Sequence, residues 1–336
     1  MRNKKGQHFL LSSESRTLSL KEIFKMSDKQ AFETFKKFRW KDTDGIPVCP
    51  HCGLVDHHWL LASKQFRCKS CKKKFSVTSG TIFAHRKLPL QDYLGAIAIM
   101  TNGAKGYSMI QLSKDLNVQY KTAFVLAHKI REALMVHRDE SQMNGKIEID
   151  ATYIGGKIKP ENHKDDRIDR RLVENKNGKE RVIISIRQRS NHRRKGALRT
   201  LTFMAKTENQ VDVRAIVERF ISRQSVIHAD ESNAYDLLHA KYRVKRVNHS
   251  LNYVDLKTNT SINQAESYFS RLKRAYYGQH HHFGINYLAY YANEMAYRED
   301  FRKVDNKSIC YDILFKALNS PVSPELCGYW QGNHRK

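Results

Sequence analysis

Two sets of residues in this 336-residue chain have the types and spacing to do chemistry. The first is a pair of cysteine knuckles, Cys49-Pro-His-Cys52 and Cys68-Lys-Ser-Cys71, separated by about one β-hairpin of sequence. Four thiolates within tetrahedral reach suit a closed structural zinc site, and the surrounding Lys and Arg favour deprotonated sulfurs. No βαβ pattern surrounds the pairs, which speaks against a redox dithiol. His51, His57 and His58 are read as spectators, and Cys310 and Cys327 as ordinary thiols.

The second set is acidic. In KIEIDATYIGG, Ile147 and Ile149 alternate with Glu148 and Asp150, the period-2 pattern of a half-buried strand, and a Gly-Gly turn follows; this places Asp150 near a strand end. Asp230 closes the apolar run SVIHAD, and Glu266 opens the helical pattern NQAESYFSRLKRAYY. Carboxylates brought from separate elements to one point repel and raise one another's pKa, so their convergence makes sense where divalent cations neutralise them. Such a cluster is the basis of two-metal phosphoryl transfer. On the Glu266 helix Asn263, Ser270 and Lys273 share its face, a carboxylate with an amide and a cation beside it that would address a phosphate. Each of these alone reads as a solvated helix charge, and only the constellation argues otherwise.

Sixty Lys and Arg against 34 Asp and Glu give a net charge of +26, and a polyanion partner, nucleic acid first, accounts for such an excess. A basic ribosome-associated or membrane-surface protein is the alternative on charge alone. No stretch resembles a signal peptide or a membrane span, so the expectation is an intracellular protein without a membrane partner.

The elements that must carry these residues divide the chain into several expected segments. Residues 1–45 form a helical lead and 46–86 the zinc ribbon, closed by a strand over Phe75–Phe83; spacing leaves open whether the ribbon touches DNA. Residues 87–143 are helical, with a break at Leu116-Asn117-Val118 that has the look of helix-turn-helix. In that reading Gln119 to Lys129 is the recognition helix and Lys121, Thr122 and His128 face DNA; a plain helical bundle is the alternative. Residues 144–305 alternate strands and helices in the order β-β-β-α-β-α-β-α of an RNase H-like α/β layer. A basic insertion, 157–180, reads as a loop able to fold over DNA, and the basic connection to the next strand adds Arg193, Arg194 and Lys195. The tract GQHHHF is read as a basic aromatic strip near DNA in preference to a metal site. Residues 306–336 are taken as a C-terminal tail.

CPHC, RCKSC and FSVTSGTIF resemble the transposase zinc ribbon, and IDATYIGGK, HADESNAY, NQAESYFSRLKR and NEMAYREDFR resemble the catalytic part of bacterial insertion-sequence transposases of the ISXO-two-like, DDE type. The resemblance covers about residues 20 to 305. It implies that Asp150, Asp230 and Glu266 are metal-binding carboxylates for Mg²⁺ or Mn²⁺, that Lys273 is the helix cation, and that Asn263, His281 and His282 are accessory. It further implies cleavage at the 3′ ends of a mobile element and attack of the freed 3′-OH on target DNA. The expected partners are double-stranded DNA, as element ends and target, and further copies of the chain on that DNA, in the nucleoid of a bacterial cytoplasm. Two departures concern substrate handling: Ser261-Ile262-Asn263 stands where the family often has His-Thr-Asn, and His280 where a Tyr commonly precedes the paired histidines. A transposase-derived DNA-binding regulator and an RNase H-like nuclease are the competing readings.

Overall fold

The computed structural model describes residues 8–156, 161–168, 178, 180–190, 196–247 and 260–332. It separates into two compact units, residues 1–138 with 301–336, and residues 139–300.

The first unit opens with α1 (Leu20–Lys25) and α2 (Asp28–Arg39). Ser19 and Ser27 cap them by accepting from the Glu22 and Gln30 N–H groups, and Gln30 returns the bond in a capping box. The ribbon follows as an antiparallel sheet of β1 (His57–Leu60), β2 (Gln65–Cys68) and β3 (Lys74–Phe75), with Phe66 packed against Trp40 and Phe75. The closing strand expected over Phe75–Phe83 stops at Phe75. Beyond it Ser and Thr side chains take over the backbone: Ser79 accepts from the Ser76 N–H at 2.8 Å, Thr81 donates to the Thr78 carbonyl at 2.8 Å and accepts from the Phe83 N–H at 3.1 Å. Such local bonds compete with a ladder, and the segment becomes a series of turns. Three helices complete this part: α3 (Leu90–Asn102), buried along most of its length, α4 (Met109–Asp115) and α5 (Tyr120–Val136).

The second unit is a mixed sheet clad with helices. Its strands are β4 (Lys146–Gly155), β5 (Glu180–Arg189), β6 (Ala197–Ala205), β7 (Val226–Ala229) and β8 (Arg243–Arg246), and their spatial order is β6-β5-β4-β7-β8. The pairs of β4 with β5 and β5 with β6 are antiparallel, those of β4 with β7 and β7 with β8 parallel. Helix α6 (Gln210–Phe220) connects β6 to β7, and a 3₁₀ helix spans Asn233–Ala240. Then come α7 (Asn263–Ala275) and α8 (Leu288–Asp300). The period-2 rule sorts β4 by face. Ile147 and Ile149 join Val213, Val217 and Phe220 of α6 in one core, while Ile154 joins Tyr268, Phe269 and Leu272 of α7 in another. Glu148, Asp150 and Thr152 share the Ile154 face.

The chain then re-enters the first unit with α9 (Asn306–Asn319), whose Cys310, Ile313, Leu314 and Leu318 are buried. Much of the segment expected to be a tail is therefore helix. Its start is capped by Asp305, which accepts from the Ser308 N–H at 3.1 Å.

Candidate functional site

Strand β4 continues past Asp150 to Gly155, so Asp150 sits in mid-strand and not near its end; Gly155 and Gly156, at φ +91° and +68°, make the turn. What ends near Asp150 is the neighbouring strand. β7 pairs in parallel with β4 at Glu148↔His228, and the same register carried two residues on brings Asp150 level with Asp230, just past the last residue of β7. Parallel neighbours stand about 4.8 Å apart, close enough for the two carboxylates to act strongly on one another. Burial pushes the Asp150 carboxyl up to about 7, and Asp230, Glu208 and Glu266 add to the rise, against the Ala151 N–H that donates to it. Asp150, Asp230 and Glu266, far apart in sequence, therefore share one field. Among the described residues the cysteines alone form a set of three or more metal-ligand atoms within 4.8 Å of one another, so the carboxylates act over a longer distance.

Helix α7 carries Glu266 in its first turn, half-buried, with Lys273 two turns on and exposed. Its buried stripe of Ala265, Tyr268, Phe269, Leu272 and Ala275 lies against the sheet. Asn263, the first residue of the helix, is exposed. After Ala275 the backbone widens into a π turn over Tyr276–His280 and then reverses at His281, φ +58°. His281 and His282 are exposed, whereas the His280 ring packs on Phe283 and Tyr291 at 5.4 and 4.9 Å. The three histidines thus do not form one strip.

The four knuckle cysteines do come together, with all sulfurs within 4.8 Å, Cys49 to Cys71 at 3.6 Å and Cys52 to Cys68 at 3.5 Å. Tetrahedral coordination with Zn–S bonds of 2.3 Å implies sulfurs about 3.8 Å apart, so the donor set fits zinc. Each knuckle turns on the residue after its second cysteine, Gly53 at φ +76° and Lys72 at φ +59°. The Cys71 backbone N–H leads the effects that lower the Cys68 thiol to about 7, while its partner Cys52, against a backbone hydrogen bond at Leu54, is pushed up to about 11 by Cys68 and by burial.

The residues expected to face DNA from α5 separate. Lys121 is exposed at the start of the helix and Thr122 is half-buried, but His128 is buried and bonded to the buried Arg131 at 3.2 Å. His128 is thus excluded as a DNA contact: it belongs to the inward stripe of Ala123, Leu126, Ala127, Ile130 and Leu134. Lys121 is also engaged, since its ammonium lies 5.1 Å from the Trp330 ring centroid and its carbonyl accepts from the Trp330 indole N–H at 3.2 Å. Arg193, Arg194, Lys195 and most of the insertion 157–180 lie outside the described residues.

Two residues that the sequence reading passed over belong to this site. Glu208, between β6 and α6, lies near enough to Asp230 and Asp150 to raise Asp150; its own carboxyl is raised by burial and by Asp230. No spacing rule points to it. Glu148 is fully buried, and its Oε2 accepts from the Gln264 and Ala265 N–H groups at 2.7 and 3.0 Å. Its parity with Asp150 along β4 was the available signal.

Residues 142–300 match the ISXO2-like transposase domain, and residues 26–74 match the transposase zinc-ribbon domain. A curated relative, described as an uncharacterized protein in transposable element ISH50 of Halobacterium salinarum, is 25% identical over 134 residues, which are 40% of this chain and 44% of that protein. The match therefore spans less than half of the relative's length. No solved structure matches. Among the described residues no helix is long and apolar enough to cross a membrane.

Proposed function

We propose that this chain, which carries an ISXO2-like transposase domain behind a transposase zinc ribbon, is the transposase of an insertion sequence, cutting its element's terminal inverted repeats and joining them to target DNA. What supports the reading most is that Asp230 and Glu266 both add to the rise of Asp150, and that Asp150 and Asp230 each lie two residues beyond the paired Glu148 and His228. The sheet order β6-β5-β4-β7-β8, with helices on both faces, supports an RNase H-like layer. The donor set is all carboxylate oxygen, and Asp150 is pushed up to about 7 by burial and by its acidic neighbours. A hard divalent cation such as Mg²⁺ or Mn²⁺ fits such a set, since it removes the mutual repulsion. When bound it would stabilise the charge developing on phosphate oxygens and make water a stronger nucleophile.

The chain's own groups have separate tasks in this reading. Asp150, Asp230 and Glu266 hold the cations, and the exposed Lys273 steadies a DNA phosphate in line for attack. Asn263, His281 and His282, exposed near the two ends of α7, contact the flanking strand. The four thiolates hold a structural zinc ion, and Lys121 and Thr122 meet duplex DNA. A charge of +26 makes affinity fall steeply with salt. Bringing two element ends together calls for more than one copy on the DNA.

The test is a supercoiled plasmid carrying the inverted repeats that flank the gene, incubated with protein and Mg²⁺ or Mn²⁺. Nicked and joined products are expected from the wild type, and none from Asp150→Ala, which still retards end DNA on a gel. Cleavage by Asp150→Ala overturns the assignment. Binding without cleavage by the wild type marks a regulator, and cutting of branched DNA without joining marks a nuclease.

A further inference from the structure

The residue before helix α7, Ile262, is apolar and buried and supplies no capping side chain. The acceptor comes instead from 116 positions earlier in the chain: Glu148 Oε2 takes the Gln264 N–H at 2.7 Å, and from 117 positions earlier it takes the Ala265 N–H at 3.0 Å. Those two amides immediately precede Glu266. A carboxylate at a helix N-terminus also meets the positive end of the helix dipole.

The grip is two-sided. Arg187, directly across the β4/β5 ladder from Glu148, donates to the Gln264 carbonyl. One peptide unit beside Glu266 thus has its N–H held by β4 and its carbonyl by β5. Arg189 pairs with the other Glu148 oxygen, Oε1, at 3.4 Å. Further along α7, Arg271 bonds Glu299 of α8 at 2.6 Å, and Glu299 also pairs with Arg187 at 3.7 Å. A charged lattice, most of it buried, therefore fixes both the position of α7 and its rotation on the sheet.

Glu148 lies two residues before Asp150 on the same strand face, so the path from Asp150 to Glu266 runs through one side chain and two hydrogen bonds. We propose that Glu148 is a positioning residue: by capping α7 from β4 it fixes the separation of Asp150 and Glu266, and hence the affinity of the carboxylate set for a divalent cation. This rests on the reading of Asp150, Asp230 and Glu266 as cation ligands. It differs from mere support of the fold because the bonded amides adjoin a proposed ligand while the bonded strand carries another. Groups that orient ligands in this way typically govern metal affinity by about 10- to 100-fold.

The experiment is calorimetric titration of the full-length, zinc-loaded protein with Mn²⁺, paired with the Mn²⁺ dependence of plasmid cleavage and with thermal unfolding. Asp150→Ala is expected to abolish Mn²⁺ binding at the carboxylates. Glu148→Ala is expected to weaken binding about 10- to 100-fold, with cleavage recovering at high Mn²⁺. Glu148→Gln keeps the reach and an accepting oxygen, and should return the affinity to within a few-fold of the wild type. If Glu148→Ala does not unfold cooperatively, Glu148→Asp, which keeps the charge and loses one methylene of reach, takes its place with the same expected loss. Wild-type Mn²⁺ affinity in a folded Glu148→Ala or Glu148→Asp, beside loss in Asp150→Ala, overturns the Glu148 proposal alone. Wild-type affinity in Asp150→Ala overturns the cation site and this proposal with it.

Discussion

Asp150 lies two residues beyond Glu148 on β4, and Asp230 two beyond its partner His228, just past the end of β7, with Asp150 pushed up to about 7 by burial first and by its acidic neighbours after that. A site that gathers like charges is expected to cost the fold something. Asp150→Asn should therefore abolish cleavage and raise the melting temperature in metal-free buffer. The sign with pH follows from a folded-state proton affinity above the unfolded one: the wild type keeps its full stability below the ordinary aspartate range near 4, and loses stability as pH rises through 7. The gain from Asp150→Asn should thus be near zero at about pH 4, grow towards pH 7 and then level off, reaching on the order of a few kcal/mol. Thermal unfolding of both proteins across that range measures it; an equal offset at every pH would contradict the assignment.

The sulfur cluster leads to a prediction about the first unit. Four thiols within 4.8 Å of one another, turned by Gly53 and Lys72, make a closed tetrahedral site with no position for substrate. About one equivalent of zinc per chain is expected by elemental analysis. Cys68→Ser should remove it, and a chelator should unfold the ribbon, because metal binding in such small modules is folding free energy. The carboxylate site lies in the other compact unit, so Mn²⁺ binding there should survive Cys68→Ser.

The two α5 side chains that looked equivalent in sequence should behave oppositely. Lys121→Ala is expected to weaken DNA binding uniformly across sequences and to lower the salt slope by about one, with little effect on unfolding. His128→Ala removes a buried partner of Arg131, and is expected to cost roughly 1–3 kcal/mol of stability while leaving the salt slope unchanged. Salt-dependent gel retardation beside denaturant unfolding separates the two.

How much of this could be read from the chain alone varies with the range of the interactions. Ile147 and Ile149 declare β4 and the cysteine spacing declares the ribbon, because each signal is local and each side chain acts within a few residues of itself. The placement of Asp150 on its strand was misjudged: the strand that ends beside it is β7, not its own. His128 fell to a small error of helical phase, since it was assigned to the outer face of α5 and belongs to the inner one. The strand expected over Phe75–Phe83 failed because the Ser76, Ser79 and Thr81 side chains bond the nearby backbone, which hydrophobic spacing does not register. Glu208 was illegible for a different reason, as its neighbours come from distant segments and no periodicity encodes it; Glu148 shares the period-2 face of Asp150, but its partners on α7 lie far along the chain.

The lattice around Arg187 supplies the last prediction. Arg187 and Glu299 are almost wholly buried, at 1% and 2% side-chain exposure, and Arg271 adds a second guanidinium to the same carboxylate. Removing one member of a buried ion pair is far costlier than replacing the pair, because the remaining charge keeps its desolvation penalty without its compensation. Glu299→Ala should therefore lose roughly 3–5 kcal/mol, read as a lower denaturant midpoint at unchanged slope. Glu299→Gln, which keeps an oxygen for Arg271, should lose less. Since α7 is held to α8 through Arg271 and Glu299 and to the sheet through Glu148 and Arg187, the effects of Glu299→Ala and Glu148→Ala on stability should not add: once one end of the helix is loosened, releasing the other costs less. Additive losses would mean that the two contacts act on independent parts of the fold.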